Sequence, residues 1–256
     1  MANKLFKKSY QHKILKEITF NSLWNTKGAF TTIRVAGSPP KFIFFKEHLL
    51  NLNKSLKILN IDFRLTKKIF NILLSNNFTN DIKYNHLLRI AVNNKMISLN
   101  IRKRQKYAKF FTGILVNYQR PNYLIKNLYY KKIINFMRNI NQKNHEVILT
   151  KKDKVLEGCT TNIIFSKNNN IFLPKSGFYP GITLKFIKTK IKRKIIIKDI
   201  KIDEIKRFDE IILVGSGKGV VGLKDIPQIN WKKKKDKICK ELQELYNSYI
   251  DNYIET

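Results

Sequence analysis

Cysteine is scarce in this chain: Cys159 and Cys239 are the only two among 256 residues. Two thiols so far apart make neither a disulfide scaffold nor the paired spacing of a zinc site, and they point to a reducing, cytoplasmic setting. Long apolar runs are missing as well. No stretch of about 18 apolar residues occurs, and the basic segment from Met1 to Lys16 lacks the apolar core of a signal peptide, so no membrane partner is expected. Acidic residues are few, 18 against 51 Lys plus Arg, which leaves a net charge of +33. Arginine and alanine are also few, at nine and five, whereas Lys, Asn and Ile number 42, 28 and 37. A base-reading nucleic-acid binder would favour the bidentate guanidinium over the point-charge ammonium. The lysines run over the whole length beside other residues with A/T-rich codons, so the charge reads as mutational bias rather than a nucleic-acid footprint. Blocks such as Lys232-Lys233-Lys234-Lys235 are then solvated faces of helices.

What is present suffices for a folded body. A hydrophobic fraction of 43% and an aromatic fraction of 12% exclude a disordered tail or a fibre. The length fits one large or two modest domains. Ala29 to Val35, closed by Gly37-Ser38-Pro39-Pro40 and resumed at Phe42 to Phe45, reads as a β-hairpin. Leu49, Leu52, Leu56 and Leu59 recur at helical spacing, a further helix is expected over Leu65 to Leu74, and strands over Leu87 to Val92 and Met96 to Ile101. These make residues 1–116 a small α+β domain. The polar stretch around Pro121 makes 117–124 a linker. Residues 125–256 read as a larger mixed α/β domain: helices from Tyr129 to about Asn141, Thr183 to Ile191 and Lys233 to about Tyr253, with strands at Glu146 to Thr150, Thr161 to Phe165, Lys194 to Ile200 and Glu210 to Val214.

Gly217-Lys218-Gly219-Val220-Val221-Gly222 fits G-x-G-x-x-G after a strand. A dinucleotide site needs those glycines to open a helix, and Val220-Val221 reads as extended with Pro227 close behind. Ser216-Gly217-Lys218 fails as a P-loop because Ile212 occupies the position of the earlier glycine and Gly219 that of the magnesium-binding hydroxyl. What survives is a run of backbone N–H groups suited to an oxyanion.

Glu157-Gly158-Cys159-Thr160-Thr161-Asn162 combines an acid, a turn and small hydroxyl residues, and by itself is a hairpin turn with a satisfied Asn. Tyr179-Pro180-Gly181-Ile182-Thr183 then opens a helix, and Val214-Gly215-Ser216-Gly217 ends a strand. In this order the segments resemble the class IV pyridoxal-phosphate enzymes, the D-amino-acid and branched-chain aminotransferase group, over roughly Gly28 to Asp225. The resemblance implies a two-domain α/β (α+β) fold, a homodimer, a small-molecule substrate and pyridoxal 5'-phosphate as cofactor.

It also implies roles. The family's acid on the pyridine nitrogen matches Glu157, where a carboxylate favours the ring cation. Ile182, Thr183, Ser216 and Gly217 match the segments that hold the phosphate. The family's catalytic lysine, which bonds the cofactor aldehyde, lies on an Ile-Lys-x-Leu-Asn segment that matches Ile125-Lys126-Asn127-Leu128; Lys131 and Lys132 fall inside the next helix. Tyr130 falls where many members carry a tyrosine near the cofactor's phenolic oxygen, and a core aromatic is its other reading. Three features depart from the pattern. Asn51 stands where the family has a phosphate-binding arginine, Leu184 replaces a basic residue, and the signals before Phe30 are worn. Cys159 reads as a small filler, and the four histidines show no metal-ligand spacing, so no metal is expected.

Within the family, Phe30-Thr31-Thr32-x-Arg34-Val35 and Ile125-Lys126-Asn127-Leu128 resemble the aminodeoxychorismate lyases of folate synthesis more than the Phe-Glu-Gly-Ile-Arg opening of branched-chain transaminases. Arg34, Thr31 and Thr32 would then face substrate carboxylates, the threonines being otherwise ordinary strand filling. An amino-acid transaminase is the alternative inside the family. A decayed fold or a nucleic-acid-binding protein are the alternatives outside it.

Overall fold

The computed structural model describes residues 6–75, 77–80 and 82–255. By internal contacts these fall into two compact units. One runs to Arg104 and includes Ile125–Lys131 and the chain end from Asn252; the other holds Gln105–Leu124 and Lys132–Asp251.

The first unit contains β1 (Lys7–Gln11), β2 (Glu17–Ile18), β3 (Gly28–Gly37), β4 (Lys41–Phe42), helices α1 (Phe45–Ile58) and α2 (Lys67–Leu74), then β5 (Tyr84–Asn93) and β6 (Met96–Lys103). Among the described residues its sheet runs β2-β1-β6-β5-β3-β4, antiparallel throughout. Side chains alternate across a strand. Ile33 and Val35 of β3, Leu88, Ile90 and Val92 of β5, and Ile97, Leu99 and Ile101 of β6 therefore share one face, and they form a core with Leu49, Leu52 and Leu56 of α1 and Phe70, Leu73 and Leu74 of α2. The alternate positions, Thr32, Arg34, Arg89, Asn100 and Arg102, belong to the opposite face. The expected helices are present, and the hairpin is too, but its second arm is only Lys41–Phe42, because Phe45 already opens α1. α2 starts at Lys67 because the Thr66 hydroxyl accepts the N–H of Ile69 at 3.2 Å.

The second unit contains β7 (Phe110–Asn117), α3 (Lys131–Arg138, beginning at the boundary), β8 (His145–Lys151), β9 (Lys154–Gly158), β10 (Asn162–Lys167), β11 (Asn170–Pro174), α4 (Ile182–Lys190), β12 (Ile195–Lys198), β13 (Glu210–Gly215), β14 (Gly219–Ile226), β15 (Trp231–Lys232) and most of α5 (Lys237–Glu255). Among the described residues its sheet runs β12-β11-β10-β13-β14-β7-β8-β9, with β15 on β14. β11/β12, β14/β7 and β7/β8 are parallel pairs. The continuous apolar runs Ile163-Ile164-Phe165 and Ile211-Ile212-Leu213-Val214 are buried along their length, as central strands of a mixed sheet require.

β5 begins at Tyr84, three residues before the expected start, and three further elements begin or divide differently from the sequence reading. Lys151 to Lys154 turns into β9, so Glu157 lies on a strand paired with β8 and a second turn at 159–161 leads to β10. α3 starts after Tyr129 because the Asn127 carboxamide accepts the Tyr129 N–H at 3.0 Å. α5 starts four residues later than Lys233, because Lys233 and Lys234 N–H groups bond the carbonyls of Lys224 and Asp209. The glycine run is settled too: Gly219 opens β14, a strand, so the glycines do not open the helix that a dinucleotide needs. No described helix is long and apolar enough to cross a membrane.

Candidate functional site

In the first unit, the segment carrying Lys126 lies along the open edge of β3. Phe30 N–H donates to the Lys126 carbonyl and Leu128 N–H to the Gly28 carbonyl, both at 2.9 Å, with Ala29 opposite Asn127. Only glycine permits this approach at position 28: a Cβ there would lie 2.3 Å from the Val92 carbonyl oxygen and 2.6 Å from Leu128 Cδ1. The Lys126 Nζ sits 5.0 Å from the centre of the Phe30 ring. Phe30 meets Trp24 and Tyr130 edge-on, and Trp24 stacks on Tyr130 at 5.4 Å and 16°. Tyr130 is thus a core aromatic that also borders the lysine's neighbourhood.

β3 splits the expected substrate residues between its faces. Thr32 and Arg34 lie with Phe30, and Arg89 stands opposite Thr32 on β5 with its guanidinium 4.2 Å above Trp24. The Arg89 Nη2 donates to the Ser22 carbonyl, while its Nε and Nη1, and the Nε of Arg34, are buried without a hydrogen-bond partner. Burial lowers the Arg89 pKa to about 10, with Arg102 adding to the effect. Guanidinium nitrogens placed in this way suit an anion. Thr31 faces the other way, into the core, and shares a 2.6 Å hydrogen bond with His48 Nδ1. Strand alternation separates it from Thr32, which is why the pair cannot act on one ligand from one face. Burial, and then the charge of Lys126, hold the His48 pKa at about 3.

In the second unit, Glu157 near the end of β9 is 3% exposed. Its Oε1 accepts Arg120 Nε at 2.8 Å and its Oε2 accepts Arg120 Nη2 at 2.7 Å and Tyr179 N–H at 3.1 Å. The Asn162 side chain donates to the Tyr179 carbonyl at 2.6 Å and accepts the Gly181 N–H at 3.0 Å. Glutamate and asparagine together fix the path of Tyr179-Pro180-Gly181 and so the entry of α4. Gly181 is again a close approach, since a Cβ would stand 2.6 Å from Asn162 Oδ1.

The start of α4 suits an anion. It has no side-chain cap and no acidic residue in its first turn, so the partial positive charge of the helix end is uncompensated. The Thr183 hydroxyl there is buried and has no partner. Ile182 and Thr183 are buried in its first turn, and Ser216 and Gly217 form the turn between β13 and β14. An orphaned hydroxyl at an uncapped helix start fits a phosphate ester. Cys159 is buried, and burial with Glu146 nearby pushes its thiol up, so it acts as filler.

Sequence reasoning missed Arg120, Arg89 and the buried pair Glu146 and Lys218. Arg120 stood in what reads as a polar linker. Its one signal was scarcity, since an arginine among 42 lysines is a chosen guanidinium.

A family model described as amino-transferase class IV matches residues 28–226. Among curated protein sequences none matches. Solved structures with a similar fold include a branched-chain aminotransferase with norvaline from Thermoproteus uzoniensis, at 18% identity and a TM-score of 0.77, covering 96% of this chain and 95% of that one. A hypothetical aminotransferase from Mycobacterium tuberculosis in its PLP-bound form has 13% identity and a TM-score of 0.76, covering 96% and 99%. A Legionella pneumophila protein assigned as a 4-amino-4-deoxychorismate lyase has 20% identity and a TM-score of 0.73, covering 86% and 90%.

Proposed function

We propose that this chain, which belongs to the class IV aminotransferases, a family of pyridoxal-phosphate-dependent enzymes, is a 4-amino-4-deoxychorismate lyase that releases pyruvate and 4-aminobenzoate. The observation that carries the reading is the set of three buried, partnerless guanidinium nitrogens on Arg34 and Arg89, beside Thr32. The lyase substrate brings two carboxylates, and two arginines on one sheet face match them. A branched aliphatic side chain would give those groups nothing to bond. The Phe30-Thr31-Thr32-x-Arg34-Val35 opening and the Ile125 to Leu128 segment lean the same way.

Pyridoxal 5'-phosphate, when bound, supplies an aldehyde for the substrate amine and a ring that draws electrons from the amine-bearing carbon. Lys126 is the residue that would hold the aldehyde, and its amine would serve as the base for the proton on the amine-bearing carbon. Glu157, charge-balanced by Arg120, would keep the ring nitrogen protonated, and Tyr130 would serve the phenolic oxygen. Ile182 and Thr183 at the α4 start, with Ser216 and Gly217, hold the phosphate. Thr32, Arg34 and Arg89 orient the carboxylates, while Thr31 acts only through His48. The working unit is a homodimer.

The test is to supply aminodeoxychorismate with the cofactor and no keto acid. The expected products are pyruvate and 4-aminobenzoate in equal amounts. Amino-group exchange between glutamate and a branched-chain keto acid, with aminodeoxychorismate untouched, would overturn the lyase in favour of the transaminase. Borohydride fixation of the bound aldehyde followed by peptide mapping should mark Lys126; a mark on Lys131 would remove it from its role.

A further inference from the structure

The turn between β13 and β14 is built almost without side chains. Gly215, Gly217 and Gly219 alternate with Ser216 and Lys218, and Gly219 stands at a φ of 74°. Such a stretch has little rigidity of its own. Lys218 is nonetheless buried, its Nζ 2.6 Å from Glu146 Oε2 and 2.9 Å from Thr160 Oγ1, and 5.5 Å from the centre of the Phe111 ring. Glu146, 1% exposed at the start of β8, also accepts the Thr160 N–H at 3.4 Å and the hydroxyls of Thr160 and Thr161 at 3.2 and 3.4 Å. One carboxylate therefore ties together β8, the turn after Glu157 and the glycine turn.

Burying two charges costs desolvation that their attraction barely repays, so such a pair is a poor source of stability. It does impose one geometry. Thr160 and Thr161 run directly into Asn162, whose side chain fixes the entry of α4, and Lys218 directly follows Ser216 and Gly217. The helix start and the glycine turn, the two sources of phosphate donors, are thereby held in register through Glu146. Asn51 stands where the family resemblance would put a charged clamp, so phosphate affinity depends all the more on where backbone donors are placed. We propose that Lys218, paired with Glu146, is a positioning residue that sets the phosphate-binding backbone of this chain and so selects a phosphorylated over an unphosphorylated aldehyde. The proposal rests on reading the α4 start and the Ser216-Gly217 turn as the phosphate site.

The test uses the full chain and two ligands that differ only in the phosphate, pyridoxal 5'-phosphate and pyridoxal, titrated by visible absorbance and by equilibrium dialysis. Wild type should prefer the phosphorylated ligand by about tenfold or more, one charge-assisted contact's worth. Lys218→Met should lose about tenfold in affinity for pyridoxal 5'-phosphate, the scale for removing a supporting partner of a binding group, and leave pyridoxal within about twofold. Lys218→Arg should recover most of the loss. Because Lys218→Met strands Glu146, the double variant Lys218→Met/Glu146→Leu is the control for folding; it should melt near wild type and still lose the preference. Equal losses for both ligands, or a double variant that keeps the wild-type preference, would overturn the proposal. A wild type with no preference would instead sink the phosphate-site reading beneath it.

Discussion

At the scale of single residues, the nine arginines show what the lysine-rich background conceals. Arg120 spans both oxygens of Glu157, Arg193 spans both of Glu241, and the Arg89 guanidinium sits over the Trp24 ring. Each task needs a planar fork or a stacking plane, which an ammonium lacks. Arg120→Met removes the guanidinium from the buried Glu157 carboxylate, and the expected cost is about 3–5 kcal/mol in urea unfolding. Arg120→Lys keeps the charge and should cost less than half of that. A loss below about 1 kcal/mol for Arg120→Met would mean that the pair does not hold this corner together. His48 gives a second check. Its folded pKa near 3 lies below the unfolded value, so at and above pH 6.5 its contribution is fully present; as pH falls toward 3 the unfolded chain takes up a proton that the folded one refuses. Stability should drop by about 1.4 kcal/mol per pH unit on this account. His86, also lowered by burial, adds a smaller slope of the same sign. His48→Gln should flatten the pH dependence of the urea midpoint between pH 7.5 and 5; an unchanged slope would assign the acid sensitivity elsewhere.

At the scale of elements, the start of α5 is set by a residue from another strand. Glu210, 2% exposed on β13, accepts the N–H groups of Ile238 and Cys239 at 3.0 and 2.8 Å and the Ser166 hydroxyl at 3.3 Å. Helix starts leave such donors unpaired, and a carboxylate also complements the helix dipole. Glu210→Ala should cost about 1–3 kcal/mol per buried donor left bare and expose the first turn of α5 to hydrogen exchange; unchanged protection there would remove the cap from the account. The same contact explains what the sequence could show. α1, β3, β5 and β13 carry their periodicity on their surface, so they are legible. β7 is not, because Gly113 in its middle reads as a breaker, whereas in the fold it lets Ile148 and Ile226 approach to where a Cβ would be 2.8 and 2.9 Å away. β2 and β15 are two residues long and exist only through their pairing. For the candidate site, Lys126, Glu157 and Thr183 stand in contiguous local motifs, so the sequence alone could single them out. It could not do so for Arg120, Glu146 and Lys218, because their partners lie 37 and 72 positions away. Thr31 and Thr32 looked equivalent in sequence, and only strand register assigns them to opposite faces.

At the scale of the whole molecule, 51 cations against 18 carboxylates leave at least 33 cations without a carboxylate of their own. Exposed pairs such as Lys8 with Glu17 and Lys154 with Asp199 are screened by water and cannot offset that repulsion. Salt screens charges over about 10 Å at 0.1 M. Repulsion among surface lysines should therefore weaken as sodium chloride rises from about 0.02 to 0.3 M, and Tm should climb, with no change in the urea m-value because the area exposed on unfolding is the same. Catalysis should move in the opposite direction. On the proposed lyase reading, a substrate with two carboxylates is drawn toward a chain of this charge, so kcat/KM for aminodeoxychorismate should fall, by up to about tenfold, over the same salt range while kcat stays level. The two measurements separate the readings. A Tm that falls with salt would mean that attractive pairs outweigh the excess, and the lysines would then be organised rather than a by-product of codon usage. A kcat/KM indifferent to salt while Tm rises would mean that the charge acts on the fold alone, and recognition of the two carboxylates would rest wholly on Arg34 and Arg89. Substituting Arg89→Met should then abolish what selectivity remains for a dianion over a monoanion, whatever the ionic strength.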